Sequence, residues 1–271
     1  AAERACNYVI GISGNKPLLS YTRSDALMFR DWLVDRGLTG SSVTRNFSYV
    51  KAVINFASSE FALDVRNPFI GVYHDRTAGV LIRKTIPNAD ILKVQTECKA
   101  IDDDMRWLVA LISDTGMRLA EGAGLLKSDI HLDADIPFVR IQKHLWRNLK
   151  TASSERIIPL CGRALWAAER IVASDQTSKF AFTRYNRHST TKANSASAAL
   201  NKWLKQYVPI GCTMHSFRHS MRDRLRSVQC PSDIADQIGG WTSEGVGQGY
   251  GSGYPLNVLQ EWMEKALVGL D

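Results

Sequence analysis

Arg118 and Glu121 form the first group of side chains suited to phosphate chemistry. Arg118 stands in the segment TGMRLAE, after a glycine turn and near the start of a predicted helix. Glu121 lies three residues on along the same helical face, so its carboxylate can orient the guanidinium for bidentate contact with a phosphate. Taken alone, the two residues are better explained as an ordinary surface ion pair.

Lys150 is the second candidate, because a lysine on a flexible loop can reach into a site and donate a proton. It lies in a polar, basic stretch, residues 142–155, that joins two predicted strands. In isolation, a solvated loop lysine is the simpler interpretation. Lys143 of the same stretch competes for the role.

His215 and Arg218 form the third group, in the segment HSFRH. Helical spacing puts both on one face, where an imidazole and a guanidinium can address one phosphate, and turns Phe217 toward the core. Thr213 is a candidate N-cap, and a helix N-terminus attracts anions. The competing interpretation is a histidine satisfied within the core beside a surface arginine.

Trp241 and Tyr250 form the fourth group, near the end of the chain. Tyr250 follows Trp241 by nine residues in a run of glycines, and Tyr254 lies just beyond. A tyrosine among glycines is not placed for packing, which makes it a candidate for chemistry. The competing interpretation is a loop aromatic that anchors a turn.

The order of these four groups resembles the active-site series of the tyrosine recombinases, the phage integrase family. The segments that carry the resemblance are TGMRLAE, LKT followed by RIIPL, HSFRH, and the nine-residue step from Trp241 to Tyr250. They cover residues 88–271; the helical part before them is similar to the family's core-binding domain only in size and helix content. Each segment alone is unspecific, whereas all of them in this order argue against coincidence.

The resemblance implies a chemical role for each residue. Tyr250 would attack the scissile phosphate and form a 3′-phosphotyrosyl link, while Arg118 and Arg218 stabilise the transition state. Lys150 would protonate the leaving 5′-oxygen, and His215 would bind the phosphate or assist proton movement. No metal, ATP or other cofactor is expected. The implied catalytic set is Arg118, Lys150, His215, Arg218, Trp241 and Tyr250, with Glu121 in support.

Charge and cysteine usage bear on the partner and the location of the protein. Residues 138–226 hold 17 Lys and Arg against 4 Asp and Glu, in a chain whose net charge is +7. Such a block suits double-stranded DNA, although a solvated basic face explains the charge equally well. The resemblance adds assembly into a tetramer on DNA. No stretch reaches the length of a membrane helix, and five widely spaced cysteines without metal-site spacing indicate free thiols. A cytoplasmic, DNA-associated protein is expected.

The elements that must position these residues predict a fold that is mainly α with a small β-sheet (α+β). With the resemblance, this organisation implies a helical core-binding (SAM-like) DNA-binding domain over 1–76, a linker over 77–87, and a catalytic domain over 88–271 that ends with the tyrosine and a docking helix. Strands are predicted at 137–141 and 156–160. Helices are predicted from Thr22 and from Ser41 or Ser42 in the first domain, and at 89–100, 103–114, 163–173, 195–207, 214–227, 232–238 and 256–267 in the second.

Two expectations concern packing. Ala123 and Gly124 replace larger apolar residues of the family, which predicts looser packing of the helix that follows Arg118. In the last helix, an apolar stripe is expected either to dock on a neighbouring protomer or to pack within its own chain. The stripe consists of Leu259, Trp262, Met263 and Leu267.

Three other functions compete with recombination. A type IB topoisomerase uses the same chemistry, but the compact first domain and the spacing of His215 and Tyr250 favour a recombinase. A catalytically silent DNA-binding protein of the same fold predicts decay of the set, and no member is missing. A metal-dependent nuclease needs a cluster of carboxylates that the sequence does not supply.

Overall fold

The computed structural model describes residues 1–80, 84–174, 177–187, 190–241 and 253–267, with only the backbone of Ala152 and Arg187. The chain forms two compact units, Ala1–Ile82 and Arg83–Asp271. Both are built mainly from helices, and the second also holds a small antiparallel sheet. The predicted fold class is therefore confirmed, while the functions assigned to the two domains stay predictions. No helix within the described ranges is both long and apolar enough to cross a membrane.

The first unit is built on α1 (Ala2–Ser13), α2 (Arg23–Asp35) and α3 (Gly40–Glu60). Its core is a separate apolar cluster that includes a group of tilted phenylalanine rings on these helices and the segment after them. Helix α2 begins at the predicted place, after Thr22, with a capping box in which the Thr22 backbone N–H donates to Asp25 Oδ2 at 2.8 Å. Local signals thus define the start of α2.

The start of α3 differs from the prediction. Thr39 is the N-cap, with its Oγ1 accepting the Ser42 backbone N–H at 3.3 Å, so Ser41 and Ser42 both lie inside the helix. Gly40 permits this start, because a Cβ there would lie 2.2 Å from the carbonyl oxygen of Asp75. The close approach of Gly40 to Asp75, far along the chain, therefore determines where α3 begins.

The second unit packs its other helices and a small sheet around one buried helix, Asp104–Thr115. In its main antiparallel sheet the strand Phe138–Ile141 lies between Ile130–His131 and Arg156–Pro159, with Val139 opposite Ile158. A separate two-stranded ribbon pairs Asn186–Arg187 with Thr190–Thr191. The elements are α4 (Asn88–Ile101), α5 (Asp104–Thr115), α6 (Leu119–Ala123), β1 (Ile130–His131), β2 (Phe138–Ile141), β3 (Arg156–Pro159), α7 (Gly162–Ala173), β4 (Asn186–Arg187), β5 (Thr190–Thr191), α8 (Ala193–Leu204), α9 (Met214–Ser227), α10 (Ser232–Gly239) and α11 (Leu256–Lys265).

Helix α5 is the buried helix, and its end positions the first candidate residue. Every residue from 108 to 115 is buried, as expected for a helix packed on all sides. Gly116 then ends α5 in the left-handed conformation, at φ +62°, where a Cβ would lie 2.9 Å from the Met221 side chain on α9. This close approach brings Arg118, at the start of α6, next to α9.

The predicted looseness of α6 is wrong. The helix ends at Ala123, which is fully buried. A Cβ on Gly124 would lie 2.8 Å from Arg147 Cδ and 2.9 Å from Thr191 Oγ1. The small residues allow neighbouring side chains to approach closely, so the packing is tight.

Helix α11 packs within its own chain. Leu259 and Met263 are fully buried in the core of the second unit, and Trp262 and Leu267 pack against that core. The sequence left two explanations for this apolar stripe: docking on a neighbouring protomer or packing within the chain. Packing within the chain accounts for it.

Candidate active site

Glu121 orients Arg118 through an ion pair, as the spacing predicts. Arg118 is the N-cap of α6, and its Nη1 donates to Glu121 Oε1 at 2.6 Å while its backbone N–H donates to Oε2 at 2.8 Å. Glu121 is buried. Burial by itself raises the pKa of this carboxyl, but Arg156 and Arg118 outweigh burial and hold the pKa below its usual value. A charged carboxylate therefore anchors the guanidinium.

Arg218 reaches the same place from α9. Its side chain is buried, and it donates from Nη1 to the Gly116 carbonyl oxygen at 3.0 Å and from Nη2 to that of Gly240 at 3.3 Å. Arg118 Nη2 lies 3.5 Å from the same Gly240 oxygen. One oxygen atom thus lies within reach of both guanidiniums, which is the geometry needed to clamp one phosphate.

Trp241 completes this cluster. The guanidinium carbons of Arg218 and Arg222 lie 4.6 and 4.7 Å from the centre of its ring, and Arg222 also pairs with Asp236 at 3.1 Å. Cation–π contacts of this kind hold a guanidinium plane in one orientation. Gly240 precedes Trp241 in the left-handed conformation at φ +60°, which turns the chain at the end of α10.

The positive charges near Arg218 affect its pKa. Burial and the nearby charges of Arg118 and Arg156 lower its pKa to about 9. An anion between the guanidiniums would reverse this shift, because it favours the charged form. The site therefore has the electrostatics of an oxyanion-binding site.

Sulfate should accordingly stabilise the folded protein. We expect about 20 mM sodium sulfate to raise Tm by about 2–4 °C above sodium chloride of the same ionic strength. Since the folded-state pKa of Arg218 is about 9, the effect should be complete below that pH and decline as pH rises through it. Thermal unfolding monitored by circular dichroism measures it. Arg218→Gln should remove the effect and exposed Arg226→Gln should not; equal sulfate shifts in both variants would contradict the assignment.

His215 and Lys150 lie closer to solvent than the arginines. His215 is exposed on the first turn of α9, with its ring 5.0 Å from that of His219, and Phe217 is fully buried, as predicted. Lys150 and Lys143 are both exposed in the connection between β2 and β3. Lys150 stays the predicted proton donor, with Lys143 as its competitor.

Tyr250 lies outside the described residues, whereas Tyr254 lies within them. The Tyr254 hydroxyl hydrogen-bonds the Asp233 carboxylate, and this contact raises the pKa of the phenol. Its backbone N–H donates to Gln237 Oε1 at 2.8 Å, and its carbonyl accepts from Gln237 Nε2 at 3.0 Å. A phenol beside a carboxylate forms the nucleophilic phenolate less readily, which disfavours Tyr254 as the nucleophile.

Three features of the site are missing from the sequence-based prediction. Ser154 contacts Arg118, with 3.0 Å between Nη1 and Oγ. The Gly240 carbonyl oxygen is the point that both arginines reach, and buried Arg156 contacts Glu121 from the far side. A charged residue at the start of the apolar segment RIIPL is the one signal that points to Arg156.

The profile of the phage integrase family matches residues 85–255, which span every candidate position from Arg118 to Tyr250. The chain belongs to the phage integrase family. This membership confirms the predicted reaction class, that of a tyrosine-type site-specific recombinase. No curated protein matches the chain.

Solved integrases share the fold of this phage integrase family member. The Tn1549 transposon integrase, in complex with circular intermediate DNA, is 17% identical with a TM-score of 0.68, over 97% of this chain and 91% of that one. A lambda integrase dimer bound to a COC′ core site is 13% identical with a TM-score of 0.65, over 100% and 88%. At such low identity the likeness concerns the fold, which spans both units.

Proposed function

We propose that this protein cuts and rejoins DNA at specific sites, with Tyr250 as nucleophile and the cluster around Gly240 as the phosphate site. The observation that carries the proposal is the convergence of Arg118 and Arg218 on one oxygen atom, beside Trp241. The fold alone does not identify a function, because one fold can carry many functions. Two buried or half-buried guanidiniums directed at one point are suited to binding a phosphate.

The reaction exchanges one phosphoester for another. The Tyr250 phenolic oxygen attacks the scissile phosphorus, the bond to the 5′-oxygen breaks, and a 3′-phosphotyrosyl ester forms. The arginines donate to the non-bridging oxygens, where charge builds in the pentavalent transition state. Because the ester retains the energy of the broken bond, a 5′-hydroxyl of another strand can reverse the step without ATP.

The remaining residues manage protons and orientation. Lys150 gives a proton to the leaving 5′-oxygen, and His215 donates a hydrogen bond to the phosphate or assists proton movement at the tyrosine. The Trp241 indole N–H donates a hydrogen bond and cannot titrate. Glu121 keeps Arg118 in its donating orientation through the bonds at 2.6 and 2.8 Å.

Double-stranded DNA is the proposed partner, with tetramer assembly on it. The block of 17 Lys and Arg against 4 Asp and Glu in residues 138–226 lies in the unit that holds the site. A lambda integrase tetramer bound to a Holliday junction is similar in fold, at 16% identity and a TM-score of 0.66 over 90% of this chain and 71% of that one. We assign residues 1–76 to DNA binding and residues 88–271 to catalysis, and place the protein in the cytoplasm with its DNA.

Capture of the covalent intermediate tests the proposal. The Tyr250→Phe protein first selects duplexes from a random-sequence pool. These are remade with one nick, whose position is stepped along the sequence so that the short cleaved strand diffuses away, and are incubated with unsubstituted protein and EDTA. We expect an adduct on a denaturing gel, attached through the peptide that contains Tyr250.

The outcomes separate the competing functions. Transfer of the captured strand to a second duplex supports recombination, whereas supercoil relaxation without transfer supports the topoisomerase. Selection of duplexes without any adduct supports the silent DNA-binding protein. Cleavage that EDTA abolishes supports the nuclease.

A further inference from the structure

Arg156 is a buried arginine in the second unit. It is 8% exposed at the start of β3. Its guanidinium donates in three directions: from Nε to the Ile238 carbonyl oxygen at 2.9 Å, from Nη1 to that of Ser154 at 2.7 Å, and from Nη2 to Glu121 Oε2 at 3.0 Å. Every arm of the guanidinium is therefore engaged by the protein.

The three acceptors belong to three different parts of the active site. Glu121 orients Arg118 at the start of α6. Ser154 lies in the β2–β3 connection, which carries Lys150. Ile238 lies at the end of α10, next to Gly240 and Trp241. We propose that Arg156 is a positioning residue for strand cleavage, which sets these segments relative to one another; the inference rests on the proposed function.

The end of α10 is shaped to fit against this guanidinium. A Cβ on Gly240 would lie 2.9 Å from Arg156 Nη1, 3.0 Å from its Cζ and 3.0 Å from the Ser153 carbonyl oxygen. Only a glycine lets the backbone approach so closely, and its left-handed φ of +60° suits glycine as well. The same residue presents its carbonyl oxygen to Arg118 and Arg218. The position of Arg156 therefore determines where both guanidiniums meet.

A lysine could not replace this arginine without loss. The three acceptors lie around a planar fork, whereas an ammonium is a single donor centre at the end of a flexible stem. Burial lowers the pKa of Arg156, and the charge of Glu121 opposes that effect. The contacts of Arg156 thus depend on both the charge and the planar shape of its guanidinium. A lysine, which keeps only the charge, should leave the three segments poorly aligned.

Arg224 provides a matched control. It is also buried, at 4% exposure, and like Arg156 it bonds a carboxylate, Asp114 Oδ1 at 3.0 Å, together with a backbone carbonyl oxygen, that of Ser113. Those partners lie on α5, and none of the three segments that meet at Arg156 contributes to them. Arg156→Lys and Arg224→Lys should therefore cost similar folding stability while differing in their effect on cleavage.

Single-turnover cleavage of the selected nicked duplex, at saturating protein, tests the inference. We expect Arg156→Lys to slow cleavage by about 100-fold, as for an active site misplaced by an ångström, while Kd for the uncut duplex changes by less than about threefold. Arg224→Lys should slow cleavage by less than about threefold. Tm is measured for both variants, and added guanidinium should restore part of the rate to Arg156→Ala.

Equal slowing in the two lysine variants, or normal cleavage by Arg156→Lys, would overturn the inference. If a lysine variant loses its cooperative melt, Arg156→Gln and Arg224→Gln are compared instead, with the same two outcomes. An unsubstituted protein that forms no adduct would overturn the proposed function and this inference with it. With that protein active, the lysine variants decide the role of Arg156 alone.

Discussion

Tyr250→Phe should abolish the covalent protein–DNA adduct, with a loss of about 10⁴-fold or more, whereas Tyr254→Phe should change its rate by less than about threefold. The first change removes the phenolic oxygen that would attack phosphorus and keeps the aromatic ring. The second removes a hydroxyl that the structure already commits to the Asp233 carboxylate. Denaturing gels of the nicked duplex measure both rates.

The Tyr254 variant carries the finer information. Its phenol has a raised pKa because it donates to Asp233, so it loses its proton less readily than a free tyrosine. Its backbone bonds to Gln237 do not depend on the hydroxyl, and Tyr254→Phe keeps them. An adduct that disappears in Tyr254→Phe but persists in Tyr250→Phe would show that the nine-residue step from Trp241 misidentifies the nucleophile.

Lys150→Ala should slow cleavage of an ordinary phosphodiester by about 10²- to 10⁴-fold, the usual contribution of a general acid. A duplex with sulfur in place of the 5′-bridging oxygen should restore the rate. A thiol has a pKa near 8.5, so its thiolate leaves without a proton, whereas an alkoxide does not. Single-turnover rates on the two duplexes measure the rescue. Tyr250→Phe should not be rescued, because sulfur does not replace the nucleophile.

Lys143→Ala is the matched control for this prediction. Both lysines are exposed in the same connection between β2 and β3, so their removal alters the surface charge equally. If Lys143→Ala shows the slow rate and the sulfur rescue while Lys150→Ala shows neither, Lys143 is the general acid. A slow Lys150 variant without rescue would mean that this lysine acts on the phosphate rather than on the leaving group.

Much of the fold follows from patterns within short segments. The strands predicted at 137–141 and 156–160 are observed at Phe138–Ile141 and Arg156–Pro159, and the helix predicted at 214–227 has those ends. These elements repeat apolar residues clearly. Helix α1 is absent from the prediction, although its two buried residues, Ala5 and Val9, are four residues apart, as on one face of a helix.

Contacts within one helical turn could be predicted from the sequence, because local geometry dictates them. The pair of Arg118 and Glu121 is three residues apart on one helical turn, and Phe217 faces the core because of its place between His215 and Arg218. The order of the candidate residues also sufficed to indicate the family. In each case the spacing of a helix or strand decides which side chains share a face.

The point where these residues meet depends on contacts between elements that are far apart in the chain. Arg218 bonds Gly116 across 102 residues, and Arg156 bonds Ile238 across 82. Both bonds depend on backbone carbonyl oxygens, which every residue carries and which no sequence pattern marks. The close approaches at Gly116 and Gly240 arise from how α5, α9 and α10 pack. Packing of distant elements, rather than local spacing, therefore placed one oxygen between two arginines.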